Sequence, residues 1–320
     1  MPSTERIDCQ IPVDCAGMRL DQALAELLPH YSRSRLQQWL KTGQLQVDGQ
    51  PRRPRDPVAG GEIVCGAWRL EAETRAAPQD IPLQVRYQDP DLLVLDKPAG
   101  LVAHPAAGNR DGTLVNALLH HFPELVALPR AGLVHRLDKD TTGLLVVARS
   151  LRAHTGLVEQ LQARRIEREY LAVINGLPVA GGTVDAPIGR HPVDRQRMAV
   201  TANGKPAVSH YRVLRRFRAH ALLRVKLETG RTHQIRVHMA HIRLPLVGDP
   251  VYGGRPRLPA RASAHCIATI QQFRRQALHA ERLALTHPMT GEPLEWRAEL
   301  PADLAELVTA LAEDADQRHD

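Results

Sequence analysis

The sequence predicts an α+β protein in two globular parts. Three observations support this: a length of 320 residues, two helix-period apolar stripes near the N-terminus, and, from residue 81 on, short apolar runs broken by turn residues. With 43% apolar and 24% charged residues the chain can bury a real core, and none of its apolar runs approaches a membrane span.

The first ten residues, MPSTERIDCQ, carry charges where an export signal needs an apolar stretch, so a cytoplasmic location is expected. In residues 19 to 28, Leu20, Ala23, Leu24, Leu27 and Leu28 form one helical stripe that Pro29 ends. A second helix is predicted from a cap at Ser32 or Ser34, through Leu36, Trp39 and Leu40, to Gly43. Its first turn carries Arg33 and Arg35. Cations there oppose the helix dipole, which makes sense if they face an anion. Leu45 to Val47 then alternates like a strand, followed by an Asp48-Gly49 turn, a basic loop with Arg52, Arg53 and Arg55, and the apolar pair Ile63-Val64.

Residues 66 to 80 lack a strong period and read as a linker. Val85 to Tyr87 and Leu92 to Leu95 are short strands between Asp-Pro and Lys-Pro turns. Further on, Leu133-Val134 and the run Leu144 to Ala148 flank His135-Arg136-Leu137-Asp138-Lys139-Asp140, which places these charges on a loop between strands. The tail, 303 to 320, reads as an amphipathic helix with a frayed acidic end, packed on the preceding domain and without chemistry.

The four cysteines, Cys9, Cys15, Cys65 and Cys266, include no C-x-x-C pair, which argues against a disulfide framework or a thiolate zinc site. Net charge is +7, while aromatic residues make up only 3%, so a polyanionic partner would be met by charge and shape, not by base-after-base stacking. Residues 1 to 66 are neutral and the last twenty carry −5, leaving +12 for the body. Within that body, residues 205 to 243 hold ten Lys/Arg (Lys205, Arg212, Arg215, Arg216, Arg218, Arg224, Lys226, Arg231, Arg236, Arg243) against one acid, Glu228. Soluble surfaces intersperse both signs, so this one-signed cluster is read as a phosphate-contacting footprint.

Taken alone, the charged loop at 135 to 140 reads as a solvated turn, Asp138 pairing with Arg136 or Lys139. The full string HRLDKDTTGLLVVAR closely resembles the signature of the RluA-type pseudouridine synthases, with Thr142 in place of the usual Ser. LLVLDKPAGLVAHP (92 to 105), REYLAV (168 to 173) and LETGRTHQIRVHMA (227 to 240) resemble the same family's other motifs. Around residues 17 to 64 the chain resembles the S4 RNA-binding domain, in Arg19-Leu20-Asp21, Ser32-Arg33-Ser34, Lys41-Thr42-Gly43 and Val47-Asp48-Gly49. Asp48 and Gly61-Glu62 depart mildly from that pattern.

The resemblance implies an S4 module at 1 to 65, a linker at 66 to 80, a catalytic domain at 81 to 302 on a mixed, largely antiparallel sheet, and the tail. It implies isomerisation of uridine in large-subunit ribosomal RNA or its precursor particle, the helix 69 stem-loop being the expected target. It assigns Asp138 as the catalytic carboxylate and Arg231 as the guanidinium that keeps it ionised. A target uridine must leave its stack, so Tyr170 would pack on the flipped ring, Ile235 would form an apolar wall, and Arg136 would brace the extruded nucleotide. Arg33, Arg35 and Lys41 would bind RNA. Neither cofactor nor metal is expected, and the chain is expected to be a monomer without a membrane partner.

Two rivals compete. His233, His238 and His241 suggest a metal hydrolase, but lack the H-E-x-x-H spacing. An S4-type RNA-binding ribosome-assembly factor without catalysis would leave the Asp138, Tyr170 and Arg231 set unexplained.

Overall fold

The computed structural model describes residues 4–28, 31, 33–69, 76–105, 109–194 and 197–316. The N-terminal part runs β1 (Thr4–Gln10), α1 (Leu20–Leu27), α2 (Arg33–Lys41), β2 (Gln46–Val47) and β3 (Ile63–Arg69). Its sheet has the order β1-β3-β2, antiparallel throughout. Of the predicted stripe, Leu20, Ala23 and Leu24 are buried and Leu27 and Leu28 half-buried, and Leu36, Leu40, Leu45 and Val64 join them in the core. Asp48 and Gly49 both take positive φ, the primed turn whose twist suits a hairpin, and Asp48 Oδ1 accepts the Ile63 N–H at 2.9 Å. Pro29 and Ser32, expected to end and begin the two helices, lie outside the described residues.

Two features differ from expectation. Residues 66–69 continue β3 as a paired strand instead of opening the linker, because β1, which has no strong apolar alternation of its own, supplies the partner. The anion facing the start of α2 is internal. Asp21, fully buried, accepts from Arg19 and from Arg33 Nε and Nη2 at 3.0 and 2.8 Å, and also from Gln37. Burial alone would raise the Asp21 pKa, but these donors hold it below the ordinary carboxylate value.

The rest of the chain contains β4 (Val85–Gln88), β5 (Leu92–Lys97), α3 (Leu114–His121), β6 (Thr142–Ala148), α4 (Leu151–Gln162), β7 (Glu167–Asn175), β8 (Gly182–Asp185), β9 (Ile188–Arg190), β10 (Met198–Val200), β11 (Val208–Arg216), β12 (His220–Leu227), α5 (Gln234–His241), α6 (Ala264–Gln272), β13 (Leu278–Thr286), β14 (Pro293–Arg297) and α7 (Ala302–Asp316). Nine strands form one sheet in the order β4-β5-β6-β13-β7-β12-β11-β8, with β14 on β13. Only the β6–β13 contact is parallel, so the sheet is mixed and largely antiparallel. Leu133 makes a single bridge to Val147, so the charged loop follows a turn and a bridge, where a full strand was expected.

β5 and β6 are apolar on consecutive positions because both of their faces are covered. Leu93, Leu95, Leu145 and Val147 enter the core that holds α3, while Leu92, Val94, Leu144 and Val146 pack with Ala153 and Leu157 of α4. The tail helix α7 buries Leu304, Leu307 and Leu311 with Ile270 of α6 and Phe217. Residues 317–320, expected to fray, lie outside the described residues.

Five of the ten cations of the apparent footprint at 205 to 243 pair with acids of the protein itself. Arg224 and Lys226 on β12 pair with Glu281 of β13 and Glu167 of β7, and Arg215 and Arg218 pair with Asp316 and Asp314 of α7. These counter-charges lie 57 to 101 residues away in sequence, beyond the reach of any local charge count.

Burial pushes His135 down to about 3 and His154 and His220 down to about 4 from an ordinary 6.5. Folded, the three stay neutral where the unfolded chain would take up protons. Stability is therefore intact above about pH 6.5 and lost as pH falls from there towards 4. At about pH 5 each should cost roughly 2 kcal/mol. Urea unfolding at about pH 7.5 and about pH 5 should show a falling midpoint; an unchanged midpoint would mean that these histidines are not held neutral.

Candidate active site

The charged loop is fixed at both ends by glycines against neighbouring backbone. Gly132 holds φ +80 beside the Ala148 carbonyl and Gly143 holds φ +108 beside that of Ala280, approaches that a Cβ would block. Between them the loop carbonyls are pinned from below. Lys97, 1% exposed, donates to the carbonyls of Pro98, Leu101 and Lys139 at 2.7, 3.0 and 2.8 Å. Burial pulls its pKa down to about 8, so at neutral pH it is still an ammonium with three protons for three acceptors. Arg275 donates to the Asp140 carbonyl at 3.2 Å, and Gln276 to the Thr141 hydroxyl at 3.0 Å. The Thr142 hydroxyl meets His279 Nδ1 at 2.9 Å, so the one departure from the family signature keeps a hydroxyl in place.

This scaffold presents Asp138 in a cleft of about 850 Å³ that Arg136, Tyr170, Arg231 and Ile235 also line. All five predicted site residues of the catalytic part thus meet in one place. Tyr170, 5% exposed on β7, and Ile235, 4% exposed on α5, form apolar wall. Arg136 is exposed at the cleft edge.

The guanidinium facing Asp138 is not the one expected. Arg231 is exposed and its Nε donates to the Pro206 carbonyl at 3.1 Å. Arg236 takes the role instead, its Nη1 donating to Asp138 Oδ2 at 3.1 Å. The reason is local geometry. Side chains of a helix lean towards its N-terminus, and Arg236 is the third residue of α5, whereas Arg231 lies on the loop before it. Gln234 knits that loop to β11, accepting from Thr229 Oγ1 and the Arg231 N–H while donating to the Val208 carbonyl and Ser209 Oγ.

Arg236 is itself clamped. Its Nε and Nη2 donate to Asp249 Oδ2 and Oδ1 at 2.7 and 2.9 Å, a bidentate pair, and Asp249 also accepts the Val251 and Tyr252 N–H groups. Burial opposes charge on both. The pairing nonetheless keeps the Arg236 pKa above its ordinary value and that of Asp249 below. His233 completes the surround, with Nε2 4.0 Å from Asp138 Oδ1 and Nδ1 3.0 Å from the Tyr252 hydroxyl. Burial lowers its pKa against the opposing pull of the Asp138 carboxylate. Arg236, Asp249, His233, Tyr252 and Lys97 were all missed as site residues. Arg236 and His233 lay inside the motif at 227 to 240, Arg236 otherwise noted only in a charge count and His233 only as a candidate metal ligand, and Asp249-Pro250 carried no signal of its own.

The three histidines of the metal reading do not converge. His238 spends its ring nitrogens on Ser209 Oγ and the Ala186 carbonyl, at 2.9 Å each, and His233 is held by Tyr252. Among the described residues the one group spaced like metal ligands, Asp89, Asp91 and His287, does not line the cleft. Its atoms are engaged: Asp89 accepts from Tyr87, His287 and two backbone N–H groups, and Asp91 from Ser150.

Residues 91–241 match the family model described as RNA pseudouridylate synthase, and residues 18–64 match the S4 domain. A protein named ribosomal large subunit pseudouridine synthase D from Xanthomonas campestris is 59% identical over 305 residues, covering 95% of this chain and 92% of that one. Its namesakes in Pseudomonas aeruginosa and Escherichia coli K12 are 58% and 56% identical over the same length, each match covering 95% of this chain and 95% and 94% of theirs. Among solved structures, human RNA pseudouridylate synthase domain containing 1 and 4 superpose with a TM-score of 0.55 each, at 27% and 28% identity, over 72% of this chain and 89% and 93% of theirs. The chain belongs to the RNA pseudouridylate synthase family, and it is an isomerase that acts on uridine in RNA.

In the S4 module, Arg33 is tied to Asp21 while Lys41 is exposed at the end of α2. Arg35 lies over the Trp39 ring at 5.7 Å. Arg33→Ala is therefore expected to destabilise the module by about 1 to 3 kcal/mol, since a fully buried carboxylate loses one of its cations. Lys41→Ala should leave melting unchanged and weaken only RNA binding. Thermal melts of both variants check this; equal melting would show that Arg33 is free to serve RNA.

Proposed function

We propose that the protein converts specific uridines of large-subunit ribosomal RNA to pseudouridine, with the helix 69 stem-loop as target and Asp138 as the nucleophile. The observation that carries this reading is Asp138 in the cleft, held by Arg236 and sharing the walls with Tyr170 and Ile235. The names of the relatives support the ribosomal substrate. The N1–C1′ bond breaks, the base turns, C5 joins C1′ and loses its proton, and N1 gains one. Nothing is oxidised and no atom of the nucleoside other than hydrogen leaves. A carboxylate suffices as covalent partner. Tyr170 packs on the flipped base, Ile235 walls it, and Arg136 at the cleft edge braces the extruded nucleotide. Residues 1 to 65 serve as the RNA-binding module, with the catalytic unit from 81 to 302. The protein works as a monomer in the cytoplasm on the rRNA or its precursor particle.

The test is to map pseudouridines in ribosomal RNA from cells with and without the gene, and to treat the unmodified RNA with purified protein. Loss and restoration of the same large-subunit positions is expected. Unchanged RNA would overturn the proposal, and restored sites outside helix 69 would overturn that target.

A further inference from the structure

Arg168 is 7% exposed and lines the cleft, yet among the described residues its guanidinium has no carboxylate, carbonyl or aromatic ring as partner. Its Nε is fully buried and makes no hydrogen bond. Of the other cleft arginines, Arg130 and Arg136 are exposed to water, while Arg164 pairs with Glu228, Arg231 with the Pro206 carbonyl, and Arg236 with Asp249 and Asp138. A buried cation without a counter-charge is costly, and proteins keep one where an anion arrives.

The strand explains why no internal acid serves. Side chains alternate across β7, so Glu167 and Glu169 turn to the other face, where they meet Lys226, Arg224 and Arg282. Arg168 and Tyr170 share the cleft face, about 6.6 Å apart along the strand. Gly230 packs over the guanidinium, and a Cβ there would come within 2.8 Å of Nη1. A second donor lies in the same wall. His135 Nε2 accepts the Val146 N–H at 3.1 Å, which leaves the proton of the neutral ring on Nδ1, buried and also without a partner. Two donors in the lining of one cleft thus lack acceptors among the described residues.

We propose that Arg168 binds a backbone phosphate of the RNA strand that carries the target uridine, one nucleotide span from the ring of Tyr170. This rests on the reading of the cleft as the site where uridine is isomerised. A phosphodiester supplies both the charge that the guanidinium lacks and oxygens for its N–H fork.

The test is a charge-deletion cycle with the full chain. Stem-loop RNAs that the wild type converts would carry a neutral methylphosphonate at one linkage at a time around the target, and would be bound and converted by wild type, Arg168→Met and Arg168→Lys. One linkage should cost the wild type about 10- to 100-fold in affinity. Arg168→Met should lose about the same on unmodified RNA, lose nothing more at that linkage, and show a salt slope smaller by roughly 0.7 to 0.9. Arg168→Lys should recover part of the loss, and it carries the cycle if the Met variant does not fold. Additive losses at every linkage, or a wild-type scan with no sensitive linkage, would overturn the assignment. Conversion by the wild type without this coupling sinks the Arg168 proposal alone, whereas no conversion of any stem-loop sinks the reading of the cleft and this proposal with it.

Discussion

Asp138→Asn is expected to abolish pseudouridine formation, with a fall in turnover of at least about 10⁴-fold, while the protein still folds and binds RNA. Asn keeps the shape of the side chain and an oxygen that can accept from Arg236 Nη1, now at 3.1 Å, but lacks the negative charge that forms a bond to carbon. The fold should tolerate the change. The loop is held through its backbone by Lys97 and Arg275, not through the Asp138 carboxylate, and that carboxylate is 15% exposed, so losing its charge strands little. Retained pseudouridine formation in treated RNA would sink the nucleophile assignment. Loss of RNA binding together with activity would show that Asp138 supports the loop instead.

The second large effect separates two arginines of one motif. Arg236→Lys should lower turnover by about 10²- to 10³-fold and also reduce stability, because a point-like ammonium cannot engage both Asp249 oxygens and Asp138 together. Asp249 has no exposed side-chain surface, and leaving it short of a partner is expected to cost about 3 kcal/mol or more. Arg231→Ala, by contrast, should leave melting within about 0.5 kcal/mol of wild type, since it removes an exposed side chain bonded only to the Pro206 carbonyl. Its activity should fall far less than that of Arg236→Lys. Melting curves and single-turnover rates for the two variants decide the matter, and the reverse order of effects would restore Arg231 as the partner of Asp138.

Local patterns showed local structure well. The stripe at 20 to 28, the Asp48-Gly49 hairpin and the runs at 92 to 95 and 144 to 148 are all elements of the fold, because each is fixed by periodicity or turn chemistry within a few residues. The loop that brings Asp138 to the cleft was legible through its long motif, and the placement of Tyr170 and Ile235 in the same cleft through the same resemblance. What escaped depends on pairing across the fold. Asp249 meets Arg236 through a loop, Asp21 meets Arg33 across two helices, and β1 is a strand only because β3 lies beside it. The apparent choice between Arg231 and Arg236 turned on which way a helix start aims its side chains, a matter of direction and not of composition.

The acidic tail helix gives the charge distribution a further meaning. Asp314 and Asp316 hold Arg218 and Arg215, so the C-terminus serves as a tethered counterion for part of the basic sheet. A polyanion that would otherwise adsorb at that end of the sheet meets two cations already occupied. Among the described residues a buried guanidinium without a partner, that of Arg168, lies in the cleft, on the strand face of Tyr170. Discrimination between a passing nucleic acid and the right one can thus begin with where the protein declines to be sticky.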